Sequence, residues 1–367
     1  MEARPVFRIT GATCVKGIPI YADIQGEPHA IPANNINPYL VDAPDILLES
    51  RTRPISDVPE MVYGNKPVDG GYLLLSPEEK AELLYKNPQA EKWIRPLLGA
   101  EEFLNGKERW CLWLVGISPN ELRAMPEVLK RVEAVREFRL HSPKKQTQER
   151  AATATLFVEN RQPEGGYILV PRVSSERRAF VPMGFLAGHT ICTDLNNMIP
   201  RATLYHFGVL SSTMHNAWVR YVCGRLKSDY RYSNTIVYNN FPWPEIQIPP
   251  SPPFAKGGIT APSNEASPPL KKGGRGDLIE AAAQAVLDAR AQFPDATLAD
   301  LYDPLTMPPA LVKAHQKLDA AVDAAYGKKN FKNDAERVAF LFELYRKSTS
   351  LLPGETKPKQ KSPRAKA

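Results

Sequence analysis

Residues 249 to 277 read PPSPPFAKGGITAPSNEASPPLKKGGRGD, a composition that no packed core can use, because proline removes backbone donors and glycine and serine leave little to bury. The stretch also repeats itself: Ser251-Pro-Pro-Phe-Ala-Lys-Gly-Gly and Ser267-Pro-Pro-Leu-Lys-Lys-Gly-Gly agree at six of eight positions. A flexible spacer over 246–277 therefore divides the chain, and folding is expected on either side of it. The longer side, 41–245, is large enough for a core of its own; the shorter, 278–350, is the size of a few helices.

The two sides carry different periodicities. In 41–245, strand-like runs (GYLLL, CLWLVGI, ATLFV, GYILVPRV, TIVYNNF) alternate with helical ones. Ser76-Pro-Glu-Glu opens a helix to Lys86 with an N-cap, a first-turn proline and first-turn acids. Pro126 to Leu140 is a second helix, with Leu129, Val132 and Val135 at helical spacing. This is an α+β pattern. In 278–350, Leu278, Ile279, Ala282, Val286 and Leu287 make one apolar stripe. Leu311, Leu318 and Val322 make a second between Pro308-Pro309 and Gly327, and Asn333 caps a third through Val338, Leu341, Phe342 and Tyr345. A small helical bundle is expected, buried on itself or against the preceding domain. The first forty residues offer only strand fragments and an Asn/Pro turn, and 351–367 is a basic, disordered tail.

Several chemistries are missing. The one Gly-x-Gly, Gly274-Arg275-Gly276, follows no strand, so no cofactor-binding turn is visible. His29, His141, His189, His206, His215 and His315 form no HxxxH or HExxH set, and the four cysteines, far apart and mostly among apolar neighbours, read as buried thiols. Ser251-Pro-Pro-Phe resembles the base-gripping motif of DNA amino-methyltransferases, but its repeat copy ends in leucine, which marks it as coincidence. No apolar stretch is long enough to span a membrane and no secretory leader is visible, so a cytoplasmic protein is expected.

Charge is informative once located. The net excess is +7, and residues 141 to 240 hold 12 Lys/Arg against 6 Asp/Glu within an aromatic-rich, folded segment. Two clusters stand out there: Pro171-Arg-Val-Ser-Ser-Glu-Arg-Arg178, and Arg225-Leu-Lys-Ser-Asp-Tyr-Arg-Tyr-Ser233. Arginine bonds guanine bidentately, hydroxyls hold phosphates, and Glu176 can accept from cytosine. A solvated loop of structural Arg–carboxylate pairs has the same composition.

Longer strings point further. NNINPYLVDAPDILLESR (34–51), PEMVYGNKPVDGG (59–71), GAEEFLNGKERWCLWL (99–114), RVEAVREFRLHS (131–142), MIPRATLYHFGVLSS (198–212) and CGRLKSDYRYSNTIVYNNFPWP (223–244) resemble the MmeI-like family of DNA methyltransferases, the type IIL restriction-modification enzymes. LIEAAAQ (278–284) and LADLYDPLTMPP (298–309) resemble the C-terminal domain of that family. The resemblance implies a target recognition domain over 41–245 and a C-terminal helical domain over 278–350. Residues 1–40 would be the end of a methyltransferase domain and a connector, so that the Rossmann-like core is absent or present only in its last strands. The implied partner is double-stranded DNA, and the implied function is its sequence-specific recognition for an adenine-specific DNA methyltransferase. The S-adenosylmethionine site and the catalytic motifs would belong to a methyltransferase half outside these residues, separately encoded or lost, leaving the chain without cofactor and inactive alone. The residues implied in DNA contact are Lys144, Lys145, Arg172, Ser174, Ser175, Glu176, Arg177 and Arg178, together with Arg225, Lys227, Ser228, Tyr230, Arg231 and Ser233. The alternative is a decayed, non-catalytic fragment acting as a nonspecific nucleic-acid or protein interaction module.

Overall fold

A computed structural model describes residues 19–21, 30–245, 274–328 and 330–350. Most of the 1–40 segment, the repeat-bearing spacer and the basic tail thus lie outside the described residues. Near the start, β1 (Pro19–Tyr21) pairs antiparallel with β2 (Ala30–Pro32). The turn at Asn37-Pro38-Tyr39 is closed by the Asn37 side chain, whose Oδ1 accepts from the backbone N–H of Tyr39 and Val41.

After β3 (Val62–Tyr63) the chain builds a small lobe. Its elements are β4 (Leu74–Leu75), α1 (Pro77–Lys86), β5 (Ile94–Leu98), α2 (Ala100–Asn105), β6 (Trp110–Leu112), α3 (Pro119–Arg123), α4 (Pro126–Leu140) and α5 (Lys145–Glu149). Local chemistry sets the boundaries. Ser76 and Ser118 each close a capping box, with Glu79 and Glu121, ahead of a proline at the first helical position. Helix α4 buries Val128, Val132 and Val135 against Leu73, Leu97 and Leu112, with Leu129 turned partly outward. Ala154–Val158, strand-like in sequence, forms no strand. Carbonyl groups in and around it are taken by the buried Arg139, which donates all five N–H groups to backbone oxygens: Val68 from Nε, Arg150 and Thr153 from Nη1, Pro67 and Leu156 from Nη2, at 2.7–3.0 Å.

The next elements are β7 (Tyr167–Pro171), β8 (Val173–Ser174), β9 (Gly184–Leu186), β10 (Ile191–Cys192) and β11 (Asn196–Pro200). β10 joins the small-lobe sheet beside β5, giving the order β10-β5-β6-β4, while β3-β11-β7-β9 form an antiparallel sheet. That second sheet has two apolar faces. Ile168, Val170 and Ile199 enter the main core, while Tyr167, Leu169 and Met198 pack with Cys192 in a smaller cluster. Cys111, Cys192 and Cys223 are buried free thiols, and burial pushes Cys192 and Cys223 up to about 12.

Two largely buried helices follow, α6 (Leu204–Ser211) and α7 (Thr213–Val222), then the hairpin β12 (Gly224–Leu226) and β13 (Asp229–Arg231). Thr235–Phe241, expected as a strand, instead contains most of a π-helical turn over Asn234–Tyr238. Ser233 caps it by accepting from Ile236 N–H, Trp218 Nε1 donates to the Val237 carbonyl, and Asn240 Nδ2 reaches the carbonyls of Thr235 and Ile236.

The C-terminal helices are α8 (Arg275–Ala291), α9 (Leu298–Leu301), α10 (Pro309–Ala325) and α11 (Asp334–Ser350). Helix α8 begins inside the stretch whose composition reads as spacer, with the Asp277 carboxylate at its third position accepting from Gly274 N–H. Its buried stripe is Ile279, Ala283, Val286 and Ala289, and Leu278 faces solvent. These helices share one core with α6 and α7: Ile279, Leu318, Leu341 and Phe342 belong to the same cluster as Phe207, Trp218 and Phe241. Helices α6 and α8 approach so closely that a Cβ on Gly208 would lie 2.7 Å from Ile279 Cγ2. Polar bonds reinforce the seam, since the Asp319 carboxylate of α10 accepts from both the N–H and the hydroxyl of Thr213 at 2.6 Å, capping α7 from the other domain.

Candidate nucleic-acid interface

The two basic clusters of the sequence meet on one small sheet. Strand β8 pairs antiparallel with β13, and β13 with β12, in the order β12-β13-β8. The register sets Tyr230 opposite Ser174 and Arg225, and Arg231 opposite Val173 and Gly224. Alternation then decides what each residue can touch. Tyr230 and Ser174 turn inward and are 7 % and 3 % exposed, whereas Arg231 stands outward. The hairpin closes through Lys227 and Ser228, with Lys227 in the left-handed region at φ +58. Arg225 is held 4.0 Å over the Tyr230 ring, donates to the Ser228 carbonyl at 2.9 Å and lies 3.7 Å from Glu176.

Beside this sheet, Ser175 to Arg178 form a turn closed by a 3.2 Å bond from Arg178 N–H to the Ser175 carbonyl. Arg177 and Glu176 project from it and are exposed. Arg178 is half-buried; burial lowers its pKa, opposed by the charges of Asp303 and Asp229. Arg172 donates to the Asp194 carbonyl at 2.8 Å with its guanidinium 4.6 Å over Tyr63. Sequence reasoning misses Tyr63 and Asp194, because neither lies near Arg172 along the chain.

The expected contact residues therefore separate. Glu176, Arg177, Arg225, Lys227, Ser228 and Arg231 are exposed on one sheet and its adjoining turn; Arg172, Ser175 and Arg178 are partly buried. Ser174 and Tyr230 turn toward the core, and the Ser233 hydroxyl accepts from Ile236 N–H as a helix cap, so these three stand apart from the exposed set. Lys144 and Lys145 are exposed at the start of α5 and belong to the small lobe rather than to this sheet. His206 and His215 are core residues: His206 Nδ1 accepts from Thr203 N–H, and His215 Nε2 meets the Tyr232 hydroxyl at 2.8 Å. Among the described residues no group of three His, Cys, Asp or Glu could hold a metal, and no helix is long and apolar enough to cross a membrane.

Comparison with known proteins fits this layout. The family profile "MmeI, target recognition domain" matches residues 42–245, and "MmeI, C-terminal domain" matches 272–353. DNA methyltransferase A of Bacillus subtilis (strain 168) is 39 % identical over 316 residues, which cover 86 % of this chain and 33 % of that protein. The structure of the type IIL restriction-modification enzyme MmeI in complex with DNA superposes with a TM-score of 0.77 at 47 % identity, covering 90 % of this chain and 41 % of that one. The chain thus spans about a third of the curated relative's length. With both domain profiles matched in order over a fold of this kind, the chain belongs to the MmeI-like DNA methyltransferase family, of which it carries the target recognition and C-terminal domains.

Proposed function

We propose that this chain is the sequence-reading part of an adenine-specific DNA methyltransferase of a restriction-modification system, acting on double-stranded DNA in the cytoplasm. The observation that carries the reading is the pairing of β8 with the β12-β13 hairpin, which brings exposed Arg225, Lys227 and Arg231 onto the same small sheet as the turn carrying exposed Arg177, within the matched recognition domain. Outward arginines can bond base edges bidentately while neighbouring cations meet phosphates. Methyl transfer from S-adenosylmethionine to a flipped adenine falls, in this reading, to a methyltransferase part on the same or another polypeptide.

Binding of the chain to a randomised duplex pool across a salt series, with sequencing of the bound fraction, tests the proposal. An enriched motif that survives moderate salt is expected. Binding without enrichment that vanishes as salt rises overturns it in favour of a merely basic surface. In the same preparation, S-adenosylmethionine should yield no methylated DNA; turnover by the chain alone would refute the assignment of chemistry to another part.

A further inference from the structure

The small lobe partners most of its cations. Lys86, Lys92, Lys107 and Lys130 each sit in an ion pair, with Glu82, Glu121, Glu101 and Glu127, and Lys80 lies over the Trp110 ring. Lys144, Lys145 and Arg150, at the two ends of α5, are exposed and join no ion pair among the described residues. Arg136 of α4, which lines a shallow depression with Ala151 and Ala152, is also exposed and joins no ion pair among the described residues, so the cations make one basic corner.

This corner is tied to the recognition sheet. Arg139 holds the Arg150 carbonyl at 3.0 Å and, from the same guanidinium, the carbonyls of Pro67 and Val68. One residue before Pro67, Lys66 lies 3.9 Å from the Asp194 carboxylate, and the Asp194 carbonyl accepts from Arg172. Buried Arg139 is therefore a positioning residue that fixes the Arg150 backbone to Pro67 and Val68, next in the chain to the Lys66 contact with Asp194.

We propose that Lys144, Lys145 and Arg150 form a phosphate clamp that grips duplex DNA without reading its sequence, flanking the region read by the β12-β13-β8 sheet. The inference rests on the proposed function and divides its labour: the clamp supplies salt-dependent affinity, and the sheet supplies choice of sequence. Exposed side chains make the test clean, because alanine at 144, 145 and 150 leaves the backbone carbonyl that Arg139 holds. The full chain and the variant K144A/K145A/R150A are compared on the randomised duplex pool across a salt series. The slope of log affinity against log salt is expected to fall by about 2.7, roughly 0.9 for each phosphate that is no longer neutralised, with the enriched motif unchanged. An unchanged slope, or a changed motif, overturns the clamp. A parent that binds without enrichment, whose slope still falls in the variant, refutes the sequence-reading role and supports the clamp; a parent that does not bind DNA refutes both.

Discussion

Three histidines set the acid limit of this fold. His206, His215 and His315 are 6 %, 0 % and 1 % exposed, and burial holds them neutral, down to about 4, 3 and 3 respectively. In the unfolded chain each returns to about 6.5. The folded pKa values are depressed, so the unfolded state binds more protons throughout the interval between, and stability falls as pH falls through 6.5 toward those values. Between pH 7 and pH 5 each histidine withdraws about 2 kcal/mol, and the three together on the order of 6 kcal/mol, a large share of a typical domain's stability. Urea unfolding followed by circular dichroism at pH 7, 6 and 5 measures the total. His215→Gln isolates one residue, since glutamine can still reach the Tyr232 hydroxyl. The cost of that substitution should be about 2 kcal/mol larger at pH 7 than at pH 5. Parallel pH profiles for parent and variant would refute the burial of a neutral imidazole.

Other perturbations probe the joints of the molecule. Arg139→Met should destabilise the small lobe by about 3–5 kcal/mol by orphaning five carbonyls, seen as reduced amide protection in α4 and the 150–156 segment. Asp319→Ala should cost about 1 kcal/mol by uncapping α7, measured by denaturant midpoint; an unchanged midpoint argues against a cap supplied from α10. Gly208→Ala should cost about 1–3 kcal/mol through overpacking against Ile279, read as a lowered Tm. Arg177→Ala should weaken DNA binding without moving that Tm, whereas Arg178→Ala should lower it, because Arg178 is half-buried in the field of Asp303 and Asp229.

What is legible in the sequence is local. The helices at 77–86 and 126–140 announce themselves through Ser76, Pro77, Pro126 and their apolar spacing, and all of that information lies within a few residues. Ala154–Val158 and Thr235–Phe241 mislead because their hydrogen bonds are decided from elsewhere, by Arg139 in the first case and by Trp218 in the second. The basic clusters are legible as clusters, but their union depends on β8 pairing with β13, a pairing across more than fifty residues. Strand parity does the rest: until the register is fixed, nothing along 171–178 or 225–233 distinguishes an outward arginine from an inward Ser174 or Tyr230.

The shared core behind α6 and α7 bears on how such recognition domains could be recombined. A chimera joined between residues 245 and 274 would part Phe207 and Trp218 from Ile279, Leu318 and Phe342, and strip α7 of the carboxylate at its first turn. Each fragment would then meet foreign helices across a seam so close that even a methyl at Gly208 would press on Ile279. The transplantable unit is therefore the recognition domain together with its C-terminal helices, and lineages that exchanged specificities should have passed them on as one piece.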